Sequence, residues 1–426
     1  MSNAQLSILF FAQMLVILVT CRGVGWLGKK YFHQPQVVGE MIAGVLLGPT
    51  LFGLVAPDLQ KALFPKESIS VLYVCAQFGV GLYMFLVGLG FRKDHFKANI
   101  GAAAAVSISG MAAPFVVAIM ITPWLMTIPG LFSEKATQFN ATLFMGAAIA
   151  ITAFPMLARI IHERGLTNSK LGTLSLSAGA IDDAGAWCVL AIVLASFGAG
   201  ASLAITTIVG GIIFASVVLL LGPRLLAPLG RIVEREGRIT PNVLGITLMA
   251  FMLCASIADG IGLHAVFGGF LLGTVMPRGK FVEELKKQLE PFAVVVLLPT
   301  FFTFSGLNTE LTMINNVELV LIALAVLAGS IIAKGGACYV AARLCGQDNR
   351  TALGIGALMN SRGLMELIII NIGLQKGVIG TGLFSMLVLM AIVTTLMASP
   401  LFEAVYGKKA RETGELDALD EKAATA

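Results

Sequence analysis

Apolar runs long enough to cross a bilayer recur from one end of the chain to the other, interrupted only by short clusters of Arg, Lys, Asp, Glu, Pro and Gly. A helix of about twenty residues spans the ~30 Å of bilayer hydrocarbon at about 1.5 Å per residue. The 426 residues are 57% hydrophobic and 12% charged, which is more apolar surface than one water-soluble core can hide. The natural solvent of such a chain is lipid, and the reading is an all-α polytopic membrane protein. Residues 1–406 form the transmembrane domain. Residues 407–426 are too few to bury a core and read as a short cytoplasmic tail. The first run, Ile8 to Cys21, has no Lys or Arg before it and no small-residue cleavage site after it, so it is taken as a spanning helix and not a signal peptide.

The pattern predicts thirteen transmembrane helices near 6–25, 37–54, 68–90, 101–122, 140–160, 170–196, 201–222, 241–258, 262–276, 286–306, 317–342, 351–373 and 381–405. Counted on this scheme, alternate loops and the tail carry twenty-three Lys and Arg on one side against four on the other. Positive charge concentrates on cytoplasmic loops, so the asymmetry predicts an outside N-terminus and a cytoplasmic C-terminus. It also accounts for the formal charge of +5 without nucleic acid as a partner. The six cysteines lie singly, with no spacing suited to a transition-metal site or a disulfide framework.

Two cations fall outside this scheme, Lys334 and Arg362, each inside an apolar run. Acids at comparable depth are Asp182 and Asp183, Glu366 four residues after Arg362, and Glu40 near the start of the second helix. Each such group costs at least ~2.5–3.5 kcal/mol at a helix centre, so it must be paired, line a water-filled cavity, or both. Neighbours on a helix point about 100° apart, so Asp182 and Asp183 cannot face one partner directly and are expected to do different work. One can coordinate a hard monovalent cation in competition with a proton, while the other pairs with Lys334. A buried network that only fixes helix register is the plainer reading of the same residues.

Two helices read as broken. Pro155 removes a backbone donor and disfavours helix at Phe154, with Thr152 placed to bond freed backbone groups. The second break is expected at Gly363, beside Asn360, Ser361 and Arg362. Irregular backbone at membrane depth survives only where it lines a cavity or is covered by protein, and paired breaks in two halves of a chain mark the ion site of many transporters. His264 and Glu40 lie in Gly-rich helices, where packing is the expected role of the glycines and an interfacial position that of the histidine.

The segments "QPQVVGEMIAGVLLGP", "AITAFPMLARII", "GAIDDAGAW", "GLHAVFGGFLLG", "FFTFSGL" and "ALMNSRGLMELIIINIG" together resemble, in order and over nearly the whole chain, the monovalent cation:proton antiporter-2 family of the cation/proton antiporter superfamily. The resemblance implies inverted repeats with two crossed, discontinuous helices, the fifth and the twelfth, with Thr152 and Asn360–Arg362 at the crossing. It implies Asp183 as the cation-binding and proton-accepting carboxylate with Asp182 beside it, and Lys334 as the partner of Asp182. Glu four residues after Arg is closest to plant and fungal cation/proton exchangers and their bacterial relatives, which leaves Na⁺ or K⁺ open. The function expected is secondary active antiport of Na⁺ or K⁺ against H⁺ by alternating access, in a homodimer of the bacterial inner membrane. No bond is made or broken and no cofactor is expected. If Lys334 and the doublet both titrate, two protons return per cation and one net charge moves. A non-transporting membrane sensor or a cation channel on the same scaffold is the alternative.

Overall fold

A computed structural model describes residues 2–32, 36–90, 93–134, 136–167, 169–194, 201–307, 317–362, 366, 369–370, 373–374, 377–407 and 409–410. In chain order the helices are α1 (Asn3–Phe32), α2 (Gln36–Leu47), α3 (Phe52–Val55), α4 (Pro57–Leu63), α5 (Lys66–Gly90), α6 (Lys93–Met126), α7 (Gln138–Ala150), α8 (Phe154–Glu163) and α9 (Lys170–Leu194). There follow α10 (Ala201–Glu236), α11 (Pro241–Gly260), α12 (Ala265–Val275), α13 (Lys280–Phe292), α14 (Leu298–Leu307), α15 (Val317–Ile331), α16 (Ala337–Leu344), α17 (Asn349–Met359) and α18 (Thr381–Phe402). Three π-helical turns, Ala293–Leu297, Ile332–Gly336 and Glu403–Gly407, continue or join these helices. Among the described residues nine helical spans are long and apolar enough to cross a membrane, and α12 is a shorter apolar helix. The protein is an all-α, multi-pass integral membrane protein.

Several helix starts follow from local chemistry. Thr137 caps α7 by accepting the Asn140 N–H, and Thr240 caps α11 with Pro241 at its first turn. Asp348 caps α17 by accepting the Thr351 N–H. One boundary departs far from the sequence reading. The seventh helix was expected to stop near 222, yet α10 runs through Pro223 and Pro228 to Glu236. Its extension is amphipathic: Leu229 and Val233 are buried while Arg231 and Arg235 are exposed, and this packing outweighs the prolines.

The chain divides into two compact units. One comprises Met1–Val24, Glu40–Lys93 and Ala199–Asn308. Within it α5 and α12 touch backbone to backbone: a Cβ on Gly273 would meet Gly88 Cα at 2.9 Å, so small residues set this approach. Glu40 is buried on α2 in the same unit. His264 caps α12 at φ 69°, its Nδ1 facing the Val266 N–H at 3.4 Å, while Asp259 accepts the Ala265 N–H at 2.6 Å.

The other unit comprises Gly25–Gly39, Asp94–Gly198 and Thr309–Ala426. It holds α7 to α9 and α15 to α18, and with them every residue singled out above for the cation site. Within this unit Arg164 bonds Glu403 at 3.1 Å and Ser399 at 2.7 Å, and Lys409 bonds Asp348 at 2.6 Å.

Candidate functional site

Both expected breaks occur, and they touch. α7 ends at Ala150, Ile151 to Ala153 are non-helical, and α8 starts at Phe154. The interruption therefore lies before Pro155, not at it. Pro155 occupies the first turn of α8, where a missing N–H costs nothing because that donor has no helical partner anyway. α17 ends at Met359, with Asn360, Ser361 and Arg362 beyond its last turn. Gly363 lies outside the described residues. The Ala153 N–H donates to the Ser361 carbonyl at 3.1 Å, and the Thr152 hydroxyl lies 2.9 Å from the Met359 carbonyl. Each break satisfies backbone groups the other leaves free, which is what irregular chain at membrane depth requires.

The two intramembrane cations cap the end of α7. The Arg362 guanidinium donates to the Ala148 carbonyl at 2.9 Å and to the Ile149 carbonyl at 2.8 Å, and the Lys334 ammonium donates to the Ala150 carbonyl. Carbonyls at a helix C-terminus lack intrahelical donors and carry the negative end of the helix dipole, so cations here satisfy both. Arg362 is also paired with Glu366 at 3.1 Å, and both side chains are fully buried. Thr395 fastens the Arg362 backbone, accepting its N–H at 3.1 Å. Lys334 projects from the π-helical turn Ile332–Gly336, a local widening that is frequent at functional sites.

The carboxylate doublet is split. Asp182 accepts from Lys334 at 2.5 Å on one oxygen and from Ser107 at 2.5 Å on the other, and the single Thr152 proton, 2.9 Å from the first of these oxygens, is shared between it and the Met359 carbonyl. Asp183 is only 1% exposed, and among the described residues neither of its oxygens has a hydrogen-bond partner. Among the described residues, buried oxygens on Asn360, Ser361 and Glu366, at and just beyond the second break, also lack one. A buried carboxylate without donors is costly as an anion, so it favours a proton or a cation.

The structure thus brings together Thr152, Asp182, Lys334, Asn360, Ser361, Arg362 and Glu366 around one crossing, with Asp183 beside Asp182 on α9. Three features were not anticipated: Ser107, the π-helical turn under Lys334, and the capping of α7 by both cations. Ser107 is one of several hydroxyl residues in an Ala- and Gly-rich helix. The α7 carbonyls are backbone, which no residue type announces.

A model of the transmembrane part of sodium/hydrogen exchangers matches residues 14–405. A Na⁺/H⁺ antiporter of Synechocystis, NhaS4, is 37% identical over 407 residues, 94% of this chain and 97% of its own length. K⁺/H⁺ antiporter 1 of Saccharomyces cerevisiae is 32% identical over 413 residues, and the Na⁺/H⁺-K⁺ antiporter GerN of Bacillus cereus is 26% identical over 407. This chain spans 97% of the GerN length and 47% of the yeast protein. With nearly the whole chain matched and the crossed breaks in place, this protein belongs to the sodium/hydrogen exchanger family.

Proposed function

We propose that the protein is a secondary active antiporter that exchanges a monovalent cation, Na⁺ or K⁺, for H⁺ by alternating access, and that Asp183 is the group that loads both. The observation that carries this reading is the asymmetry of the doublet. Asp182 is met by Lys334, Ser107 and the shared Thr152 hydroxyl, whereas Asp183 is buried with no donor among the described residues. Either a proton or a monovalent cation neutralises it, and the two compete for one carboxylate. The names of the relatives, which span Na⁺ and K⁺, support both ions as candidates.

In this reading Asp182 and Lys334 form the adjacent pair, Thr152 holds Asp182 to the crossing, and Arg362 with Glu366 compensates the end of α7. The unpartnered oxygens of Asn360 and Ser361 are candidate ligands for a dehydrated cation. The loop charges support an outside N-terminus and a cytoplasmic C-terminus, and we assign the protein to the bacterial inner membrane as a homodimer, with residues 407–426 as its tail. A channel or a non-transporting sensor leaves the cost of the unpaired Asp183 unexplained.

The test is collapse of a preset pH gradient in proteoliposomes on addition of Na⁺, K⁺ or Li⁺ separately, with wild type and Asp183→Asn. Wild type is expected to respond and the variant to be inactive, because the amide keeps the shape but cannot be neutralised by either ion. Wild-type exchange by Asp183→Asn would move the site elsewhere.

A further inference from the structure

We propose that Ser107, on α6, is a positioning residue of this exchanger: by donating to one oxygen of Asp182 it draws off part of that acid's negative charge, weakens its pull on a cation held at Asp183 one residue away, and so sets how readily the cation leaves. The assignment rests on the exchange reading above.

Ser107 is fully buried, and its hydroxyl donates to Asp182 at 2.5 Å. A serine inside a helix usually bonds back to the carbonyl four residues earlier. This one spends its single proton across the bundle on a carboxylate. The position is held by close packing of α6. A Cβ on Gly110 would lie 2.6 Å from the Cys338 sulfur and 3.6 Å from Lys334 Nζ, and one on Gly185 would lie 2.7 Å from Met111. The Cys338 thiol is in turn 3.6 Å from the Val106 carbonyl. α6 therefore sits against the elements carrying both Lys334 and Asp182, and the hydroxyl is delivered by the backbone rather than by a mobile side chain.

Among the described residues the oxygen bonded to Ser107 has no other donor, while its twin is shared by Thr152 and Lys334. Removing the hydroxyl leaves Asp182 with a bare oxygen next to an already bare Asp183. The fuller charge of Asp182 then acts on a cation held at Asp183, with no need for both acids to coordinate it. Binding tightens and release slows, the reverse of ordinary damage to a site.

The experiment compares full-length wild type, Ser107→Ala, Ser107→Thr and Ser107→Cys, with Na⁺ and K⁺ as separate probes at one fixed alkaline pH. Equilibrium binding in detergent and KM and kcat in proteoliposomes are read for each. Ser107→Ala should bind the transported ion about tenfold more tightly, the scale of one charge-assisted hydrogen bond, with KM and kcat falling together. Ser107→Thr, which keeps the hydroxyl, should stay near wild type. If the alanine variant does not purify as a stable protein, Ser107→Cys, a weak donor of similar size, should show the same tightening in smaller degree. Unchanged or weaker affinity in both Ala and Cys variants of an active exchanger overturns the assignment of Ser107 alone. A wild type that exchanges neither ion overturns the exchange reading and this assignment with it.

Discussion

Removing the Arg362 guanidinium tests whether the end of α7 depends on a buried cation. Arg362 has three acceptors: the Ala148 and Ile149 carbonyls and Glu366. Breaking a buried ion pair by deleting one partner costs about 3–5 kcal/mol, because the other charge is left uncompensated. Arg362→Met also strips two carbonyls of their donor, so the loss should fall at the upper end, about 5 kcal/mol. Arg362→Lys cannot reproduce the fork that serves both carbonyls and the carboxylate, and should be intermediate. Glu366→Met leaves Arg362 its two carbonyls and should cost about 1.5–3 kcal/mol. The double variant removes the stranded carboxylate, so it should be more stable than Arg362→Met alone, with a coupling of about 2 kcal/mol. Equilibrium unfolding in mixed micelles with rising dodecyl sulfate, followed by the fluorescence of the three tryptophans, measures all four. Single costs that add to within about 0.5 kcal/mol in the double variant would refute the argument.

Asp348 lies in the loop before α17; partial burial works against its ionisation, but hydrogen bonds from Lys409 and Thr351 and the Lys409 charge outweigh this and hold its carboxyl below the usual range. A depressed folded-state value means the contribution is complete above about pH 4 and lost as pH falls toward the folded value. Thermal unfolding in detergent should therefore show Asp348→Ala destabilised by about 1 kcal/mol at pH 7, with the gap closing in strong acid; a gap that widens on acidification would contradict it. Loading of Asp183 alone gives exchange indifferent to membrane potential, whereas a proton released by Lys334 in the same cycle makes exchange respond to an imposed potential and Lys334→Gln abolish that response. The check is a potassium gradient with valinomycin to set the potential while sodium or lithium drives exchange, and a wild-type rate indifferent to potential would make Lys334 purely structural.

Ionisable groups in an apolar run are legible because they are expensive. Asp182, Asp183, Lys334, Arg362 and Glu366 stand out from residue type alone, and the structure sets four of them in two ion pairs. The cheap features were not visible. A serine costs little among the small residues of α6, so nothing distinguishes Ser107 from Ser109 before packing is known. Pro155 marked the right helix but the wrong residues, because proline suits a first turn as well as it breaks an interior. The extension of α10 past Pro228 depended on tertiary burial of Leu229 and Val233, which overrode local preference. A π-helical turn such as Ile332–Gly336 has no local signature, yet it is where Lys334 leaves its helix.

If Asp183 is the loading group, as proposed, charge arithmetic at the crossing explains why transport is coupled. Lys334 with Asp182 and Arg362 with Glu366 are neutral as pairs, and both cations also lie on the carbonyl end of α7. Asp183 remains. Empty and ionised, it adds one uncompensated charge to a buried site, at a cost of at least ~2.5–3.5 kcal/mol on insertion scales. Loaded with a proton or a monovalent cation, the same site is neutral. A state that must pass through a water-excluded intermediate is reached far more readily by the two loaded forms than by the empty one. Movement of cation in one direction is then completed by movement of a proton in the other, because return of the empty carboxylate is the expensive step. Asp183→Asn sharpens the point: a permanently neutral site can change access without loading either ion, so it is free to move but has nothing to exchange.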